Sequence, residues 1–204
     1  MIVGLLLAAG GARRFGSQKL VAPLGAATVV KHAAESLARS TDELIVVVGS
    51  EAAMVARALH GVNATIVENL EWERGVSTSI RCGVAATKPE TSALLIALGD
   101  EPLVNHEVTR AVISAWRATG KPIVVPRYGG ESGHPALFEP SIFAELMKLD
   151  GDAGAKRVIN RLADRVTYVD IVAERPLDVD EPADLSRLEH GASVTEHRSS
   201  SGDV

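Results

Sequence analysis

Apolar residues follow two rhythms along this chain. Ile2–Ala8, Glu43–Val48 and Ser92–Leu98 are nearly unbroken aliphatic runs, and the first and last end at glycine turns. Runs of that length bounded by turn residues predict strands covered on both faces. Between them the spacing changes to that of a helix. In Ala27–Arg39 the residues Val30, Ala33, Ala34 and Leu37 fall on one face, and in Glu107–Ala118 so do Val108, Val112 and Ala115. Ala52–Leu59 and Thr78–Ala86 predict further helices, and Ala64–Val67 and Pro122–Pro126 further strands. Buried strands alternating with amphipathic helices predict an α/β fold: a single Rossmann-like domain with a mostly parallel sheet flanked by helices.

The pattern changes after Pro126. Tyr128-Gly129-Gly130 is a turn signal, and Pro135–Phe138 resumes extended character, which predicts a small antiparallel excursion. Ser141–Met147 and Ala153–Leu162 then predict helices, Val166–Val172 a last strand and Pro182–Leu188 a closing helix. From His190 the chain turns to Ser, Gly, Thr and charge, so residues 1–189 are expected to form the domain and 190–204 a disordered tail.

Composition narrows the classes. Of 204 residues 46% are hydrophobic and 23% charged, which suits one globular core. A net charge of −5 argues against nucleic acid as a partner, because phosphate backbones are bound through basic surface. No apolar run reaches the roughly 18 residues that span a bilayer, so no membrane partner is expected. Met1–Gly10 lacks the basic start of a signal peptide, and the single Cys82 permits no internal disulfide; the cytoplasm is the expected compartment. The six histidines show no metal-ligand spacing.

The first strand leads into Leu7-Ala8-Ala9-Gly10-Gly11-Ala12-Arg13-Arg14-Phe15-Gly16-Ser17-Gln18-Lys19. In parallel sheets ligands bind at the carboxyl ends of strands, and glycines there let backbone N–H groups approach phosphate oxygens. Arg14 and Lys19 add positive charge. Gly11 and Gly16 have the spacing of a Walker A loop, but Ser17 stands where that motif requires Lys. No frame gives the G-x-G-x-x-G of dinucleotide sites. Taken alone, the glycines favour a simple turn.

Acidic residues close two later segments. Gly99-Asp100-Glu101-Pro102 follows the most hydrophobic strand, where a carboxylate can hold Mg²⁺ against phosphates. A strand-end turn is the plainer account. Asp178-Val179-Asp180-Glu181-Pro182-Ala183-Asp184 places Asp178 and Asp180 on one side of an extended segment. Its plainer account makes Asp180 a helix N-cap and Asp184 a first-turn acid.

Together these segments resemble the sugar-nucleotide and molybdopterin nucleotidyltransferases, and most closely the molybdenum cofactor cytidylyltransferase-like branch. The glycine loop is similar to L-A-A-G-x-x-x-R-x-G-x-x-K, with Ala12 and Phe15 standing where the family usually has Ser and Met. Gly99-Asp100-Glu101-Pro102 resembles its G-D-x-P, although Glu101 replaces the usual Gln or Met. Asp178–Leu185 resembles D-x-D-T-P-E-D-L. Asn69 with Gly75–Ile80, Gly133-His134-Pro135-Ala136-Leu137-Phe138 and Asp150–Ala155 match further segments, and the likeness runs to about Leu188.

The resemblance implies Mg²⁺ on Asp100 and Asp180, with Asp178 a weaker candidate. It implies catalytic roles for Arg14, Lys19 and Asp100. It places the nucleotide against Leu7, Ala8, Ala9, Gly10, Gly11, Lys19, Asn69, Ser77, Ser79 and Gly99, with His134 beside the acceptor. Ser77 is expected to cap a helix facing anions, and Asp152 to cap another.

The implied reaction transfers a nucleoside monophosphate from an NTP to molybdopterin or its molybdenum-loaded form. CTP is preferred to GTP because Ala9 stands where the guanylyl branch has Gly, and Gln18 where it has Asp. A molybdoenzyme or its maturation chaperone is the implied protein partner. Two rival readings stand beside this one. One is an oxidoreductase of a small heteroaromatic substrate, which the missing dinucleotide fingerprint counts against. The other is a non-catalytic molybdopterin-binding or delivery protein, which needs no metal pair.

Overall fold

The computed structural model describes residues 1–11 and 15–189. Ile2–Ala8 (β1) is an inner strand of the main sheet, and Pro23–Leu24 (β2) and Ala27–Thr28 (β3) form a separate small hairpin. Glu43–Val48 (β4), Thr65–Glu68 (β5), Ala93–Leu98 (β6), Ile123–Tyr128 (β7), Glu131–Ser132 (β8), Ala136–Phe138 (β9) and Val166–Ile171 (β10) complete the strands. The main sheet runs in the order β10-β7-β9-β6-β1-β4-β5, with β8 paired to β7. The chain builds outward from β1 to β5 on one side, then crosses to β6 on the other, so the strand order reverses beside β1. Among the described strands of this sheet, β8 and β9 run against the rest.

Strand alternation sends successive side chains to opposite faces. Leu6, Ala8, Val46, Val48 and Leu95 meet the helices Val29–Ala38 (α1), Ala52–Ala58 (α2) and His106–Thr119 (α4) on one face. Val3, Leu5, Ile45, Val47, Leu94 and Ile96 meet Val76–Ala85 (α3), Pro140–Leu146 (α5) and Lys156–Arg161 (α6) on the other. Helix α3 lies so close on β1 that a Cβ at Gly83 would come within 2.3 Å of Leu5 Cδ1. Helix 182–189 closes a third, smaller cluster in which Val179 and Leu188 pack on Leu24 and Val29.

The expected α/β layering and the antiparallel excursion are both present. In α1 the buried residues include Val30, Ala33, Ala34 and Leu37, the predicted face. Most boundaries move by one or two residues, and two of the shifts have a visible cause. The helix expected from Ala27 starts at Val29, because Ala27 and Thr28 pair with β2. The helix expected from Ala153 starts at Lys156, because 150–155 form a turn held against α3, where Ser77 N–H donates to Gly151 O at 3.2 Å. The expectation for residues 190–204 lies outside the described residues.

Candidate active site

Three chain segments converge at the carboxyl end of β1. The first is the loop after β1, whose backbone is anchored from below: Ser50 N–H donates to Ala9 O at 3.0 Å, and buried Gln18 donates from Nε2 to Ser50 O at 3.1 Å and to Gly10 O at 3.5 Å. Gln18 also accepts from Leu20 N–H, capping the short 3₁₀ turn Lys19–Val21. With Leu20 buried, that turn directs Lys19 toward the cleft.

The second is the end of β6. Gly99 N–H donates to Leu7 O at 2.9 Å and extends the β6–β1 ladder by one residue. A Cβ at Gly99 would sit 3.2 Å from that of Ala8, so glycine permits this approach. The third is the C-terminal segment. Val179 is fully buried, and its N–H donates to Asp100 O at 2.9 Å, which docks residues 178–180 alongside Asp100.

Lys19 Nζ then lies 2.6 Å from Asp100 Oδ2 and 2.9 Å from Asp180 Oδ1. The Lys19 side chain is 14% exposed. Burial alone would lower its pKa, but the charges and hydrogen bonds of Asp100 and Asp180 outweigh burial and hold it above the ordinary lysine value. Among the described residues, no three His, Cys, Asp or Glu side chains form a cage that could hold a metal by themselves. The donor set at Lys19 nevertheless fits Mg²⁺, which takes one or two carboxylates and completes its shell with substrate phosphates and water. Both carboxylates already converge on one cationic atom.

A cleft of about 380 Å³ opens there. Leu7, Ala9, Gly10, Gly11, Lys19, Ser79 and Asp100, all singled out in the sequence, line it. Trp72, Gly75, Val76, Leu98 and Asp152 line it too; Gly75 and Val76 belong to the matched segment Gly75–Ile80, Asp152 was expected first as a cap, and Trp72 was not singled out in the sequence. Trp72 could have been found from its place just after Asn69. Its ring closes on the loop, so that a Cβ at Gly11 would lie 3.2 Å from Trp72 Cζ3.

Other expected residues sit elsewhere. Ala8 turns into the core on the opposite face, 1% exposed. Asn69 is buried and works on the protein: its Nδ2 donates to Thr78 Oγ1 at 2.8 Å and Ser79 Oγ at 3.0 Å, and its Oδ1 accepts from Glu71 N–H. Ser77 is not a cap. Gly75 holds the N-cap position of α3, and Ser77 lies inside the helix, fully buried, with no partner for its hydroxyl among the described residues. Asp152 is not a cap either, since Ala155 precedes α6. Asp184 is the first-turn acid of the closing helix, as expected. Asp184 reaches back, accepting from Glu181 N–H at 2.8 Å and Asp180 N–H at 3.0 Å, while the Asp180 carboxylate meets Lys19. Arg14 lies outside the described residues.

His134 sits beside the cleft. Strand β9 pairs antiparallel with β6 through Ala136↔Ile96, so the residues before β9 run next to the residues after β6. That brings His134 Nδ1 to 3.0 Å from Glu101 Oε1. Glu101 is 3% exposed. Burial alone would raise its pKa, but the His134 hydrogen bond and charge, a hydrogen bond with Asp178 and the charge of Arg175 together keep it below the ordinary glutamate value. Asp178 is pushed the other way, up to about 6, first by burial and then by the Glu101 charge. Asp178 Oδ1 is buried with no hydrogen-bond partner among the described residues. His134 further lines a second cavity of about 260 Å³, which shares the walls Leu7, Val76 and Leu98 with the cleft.

Residues 4–166 match the family described as MobA-like NTP transferase domain. The nicotine blue oxidoreductase of Paenarthrobacter nicotinovorans is 30% identical over 92% of this chain and 96% of its own. The molybdenum cofactor cytidylyltransferase of Escherichia coli strain K12 is 23% identical over 89% of this chain and 92% of its own. The crystal structure of Rv0371c from Mycobacterium tuberculosis superposes with a TM-score of 0.83 at 30% identity, covering 93% of this chain and 97% of that one. The same protein has been solved in complex with manganese, with a TM-score of 0.77.

Proposed function

The chain belongs to the family of MobA-like NTP transferase domains, and from that membership we propose that it is a Mg²⁺-dependent transferase moving CMP from CTP to a molybdopterin-type acceptor. The observation that carries the reading is the meeting of Asp100 and Asp180 on Lys19 at the edge of a cleft rimmed by Gly10 and Gly11.

In this reaction a phosphate oxygen of the acceptor attacks the α-phosphorus of CTP. The bond from that phosphorus to the β-phosphate oxygen breaks, and pyrophosphate leaves. The attacking oxygen is already ionised, so no general base is required. What the protein must supply is in-line placement and neutralisation of phosphate charge. Asp100 and Asp180 would hold Mg²⁺, which when bound supplies Lewis-acid stabilisation of the phosphates. The backbone of Gly10 and Gly11 approaches the phosphates. Lys19, no longer needed to balance two carboxylates, turns its charge to the triphosphate, a role we assign to Arg14 as well. Ala9 borders the base. The loop of His134 receives the acceptor. A molybdoenzyme or its maturation chaperone then takes the product, and the cytoplasm is the compartment we expect.

A pyrophosphate-release screen of four NTPs against molybdopterin with Mg²⁺ tests this reading. Release with CTP that depends on the acceptor supports it, and no release with any NTP sinks it.

A second reading has support of its own. The apolar cavity beside the cleft and the relative named nicotine blue oxidoreductase both suit turnover of a small heteroaromatic compound. Hydride transfer from NADH would distinguish it, and the absent dinucleotide fingerprint counts against that outcome.

A further inference from the structure

Glu101 has no part in the proposed transfer, yet it is a carboxylate 3% exposed in a protein interior. Burying such a group is costly unless partners hold it, so its partners indicate what it does. It faces His134 at 3.0 Å and Arg175 at 3.7 Å. Arg175 in turn lies 3.7 Å from Asp178 and 3.9 Å from Glu131, so it neutralises the surrounding carboxylates rather than one alone.

An ionised carboxylate can only accept a hydrogen bond, so His134 must donate to it from Nδ1–H. A neutral imidazole with its proton on Nδ1 offers a lone pair at Nε2. His134 also lines the second cavity, whose remaining walls are mainly Leu7, Ile80, Ile96, Leu98, Ala136 and Ile159. The cavity's volume of about 260 Å³ lies at the low end of ligand pockets, enough for a ring system rather than a whole cofactor. Apart from His134, its polar side chains are Ser132 and Lys156, and the aliphatic remainder suits a flat ring better than a sugar.

We propose that Glu101 is a positioning residue: it fixes the His134 ring so that Nε2 accepts a hydrogen bond from an N–H or O–H group on a flat, mainly apolar ring seated in the cavity. The acceptor is then a planar ring compound whose phosphate-bearing arm reaches over the shared wall of Leu7, Val76 and Leu98 toward Asp100. The transferase reading underlies only that last step. Recognition of the ring does not depend on it.

The test is a fluorescence titration with 6-hydroxymethylpterin, a ring probe with N–H donors, in the absence of nucleotide. Wild type binds it. H134A and E101Q each weaken binding about ten-fold, the range of one lost hydrogen bond to a buried partner. In E101Q the amide can accept or donate, so it no longer dictates the tautomer. The E101Q/H134A double variant binds no more weakly than H134A, because Glu101 acts through the ring. No binding by wild type, wild-type affinity in E101Q, or full additivity in the double variant each overturns the proposal. Proton–nitrogen correlation spectra of wild type give a check that needs no E101Q: His134 must be the Nδ1–H tautomer, and Nε2–H overturns the proposal. A separate titration of wild type with CTP and Mg²⁺ reads the transferase reading alone, and its failure would leave the ring site standing.

Discussion

Lys19 stands between two carboxylates from opposite parts of the chain, and the electrostatics of the cleft turn on that contact. If Asp100 and Asp180 together hold the metal, neither can lose its charge without loss of turnover. Asp100→Asn should lower kcat about a thousand-fold and Asp180→Asn about a hundred-fold while each variant still folds, because metal ligation supplies several kcal/mol of charge stabilisation. EDTA should abolish pyrophosphate release in wild type, and Mg²⁺ or Mn²⁺ should restore it. Near-normal turnover in Asp100→Asn would remove that residue from the mechanism. Asp100 was legible in the sequence because it ends a fully apolar strand. Glu101 was not, since a buried carboxylate beside a visible motif has no periodicity of its own. Ser77 misled for a related reason: a hydroxyl near a helix start resembles a cap, and only the backbone reveals that Gly75 takes that place.

Tyr128 belongs to the same scale. It is 5% exposed, and its hydroxyl is buried with no partner among the described residues. Leaving such a group unpaired costs about 1 kcal/mol or more, so Tyr128→Phe should stabilise the protein by about 1 kcal/mol in urea unfolding. Burial and then the Glu101 charge push the phenol from 10.0 up to about 12. The folded state therefore resists ionisation, and wild type loses stability as pH rises from the unfolded value of 10.0 toward 12. Phe carries no such loss, so the gap between the two proteins should widen above pH 10.0. A destabilised Tyr128→Phe would show that the hydroxyl has a partner after all.

At the scale of elements, the site depends on loops that approach too closely for side chains. Gly75 has φ 108°, and a Cβ there would lie 2.3 Å from the carbonyl of Gly151. Gly75→Ala should cost about 3 kcal/mol or more, from backbone strain and from collision with the backbone of the 150–155 turn. It should also weaken CTP, because Gly75, Val76 and Asp152 share the cleft wall. Denaturant titration and nucleotide binding check both; an unchanged unfolding midpoint would contradict the close approach. The long strands and helices were readable from their two periods. The β2–β3 hairpin was not, because strands of two residues carry no pattern. The insertion of β9 between β6 and β7 was readable as a change of direction but not as a position, since its pairing with Ile96 is a long-range choice. That choice is what brings His134 to Glu101.

For the molecule as a whole, the reversal of strand order beside β1 gathers the glycine loop, Asp100 and the C-terminal segment at one end of the sheet. No described helix is long and apolar enough to cross a membrane. Ala9 lines the cleft, so its methyl group can narrow a base slot, whereas Gln18 is turned to the loop backbone and shapes the slot only from behind. Ala9→Gly should therefore shift the kcat/KM ratio toward GTP by about ten-fold, the scale of one methyl group in a pocket. An unchanged ratio would place base selection elsewhere.

The most direct measurement is transfer of label from CTP carrying a marked α-phosphate onto molybdopterin, in wild type and in Asp100→Asn with Mg²⁺ present. Wild type should give labelled acceptor and one pyrophosphate per transfer, and the variant neither. Label that stays with CTP in wild type, or moves equally in the variant, would contradict the proposed transfer.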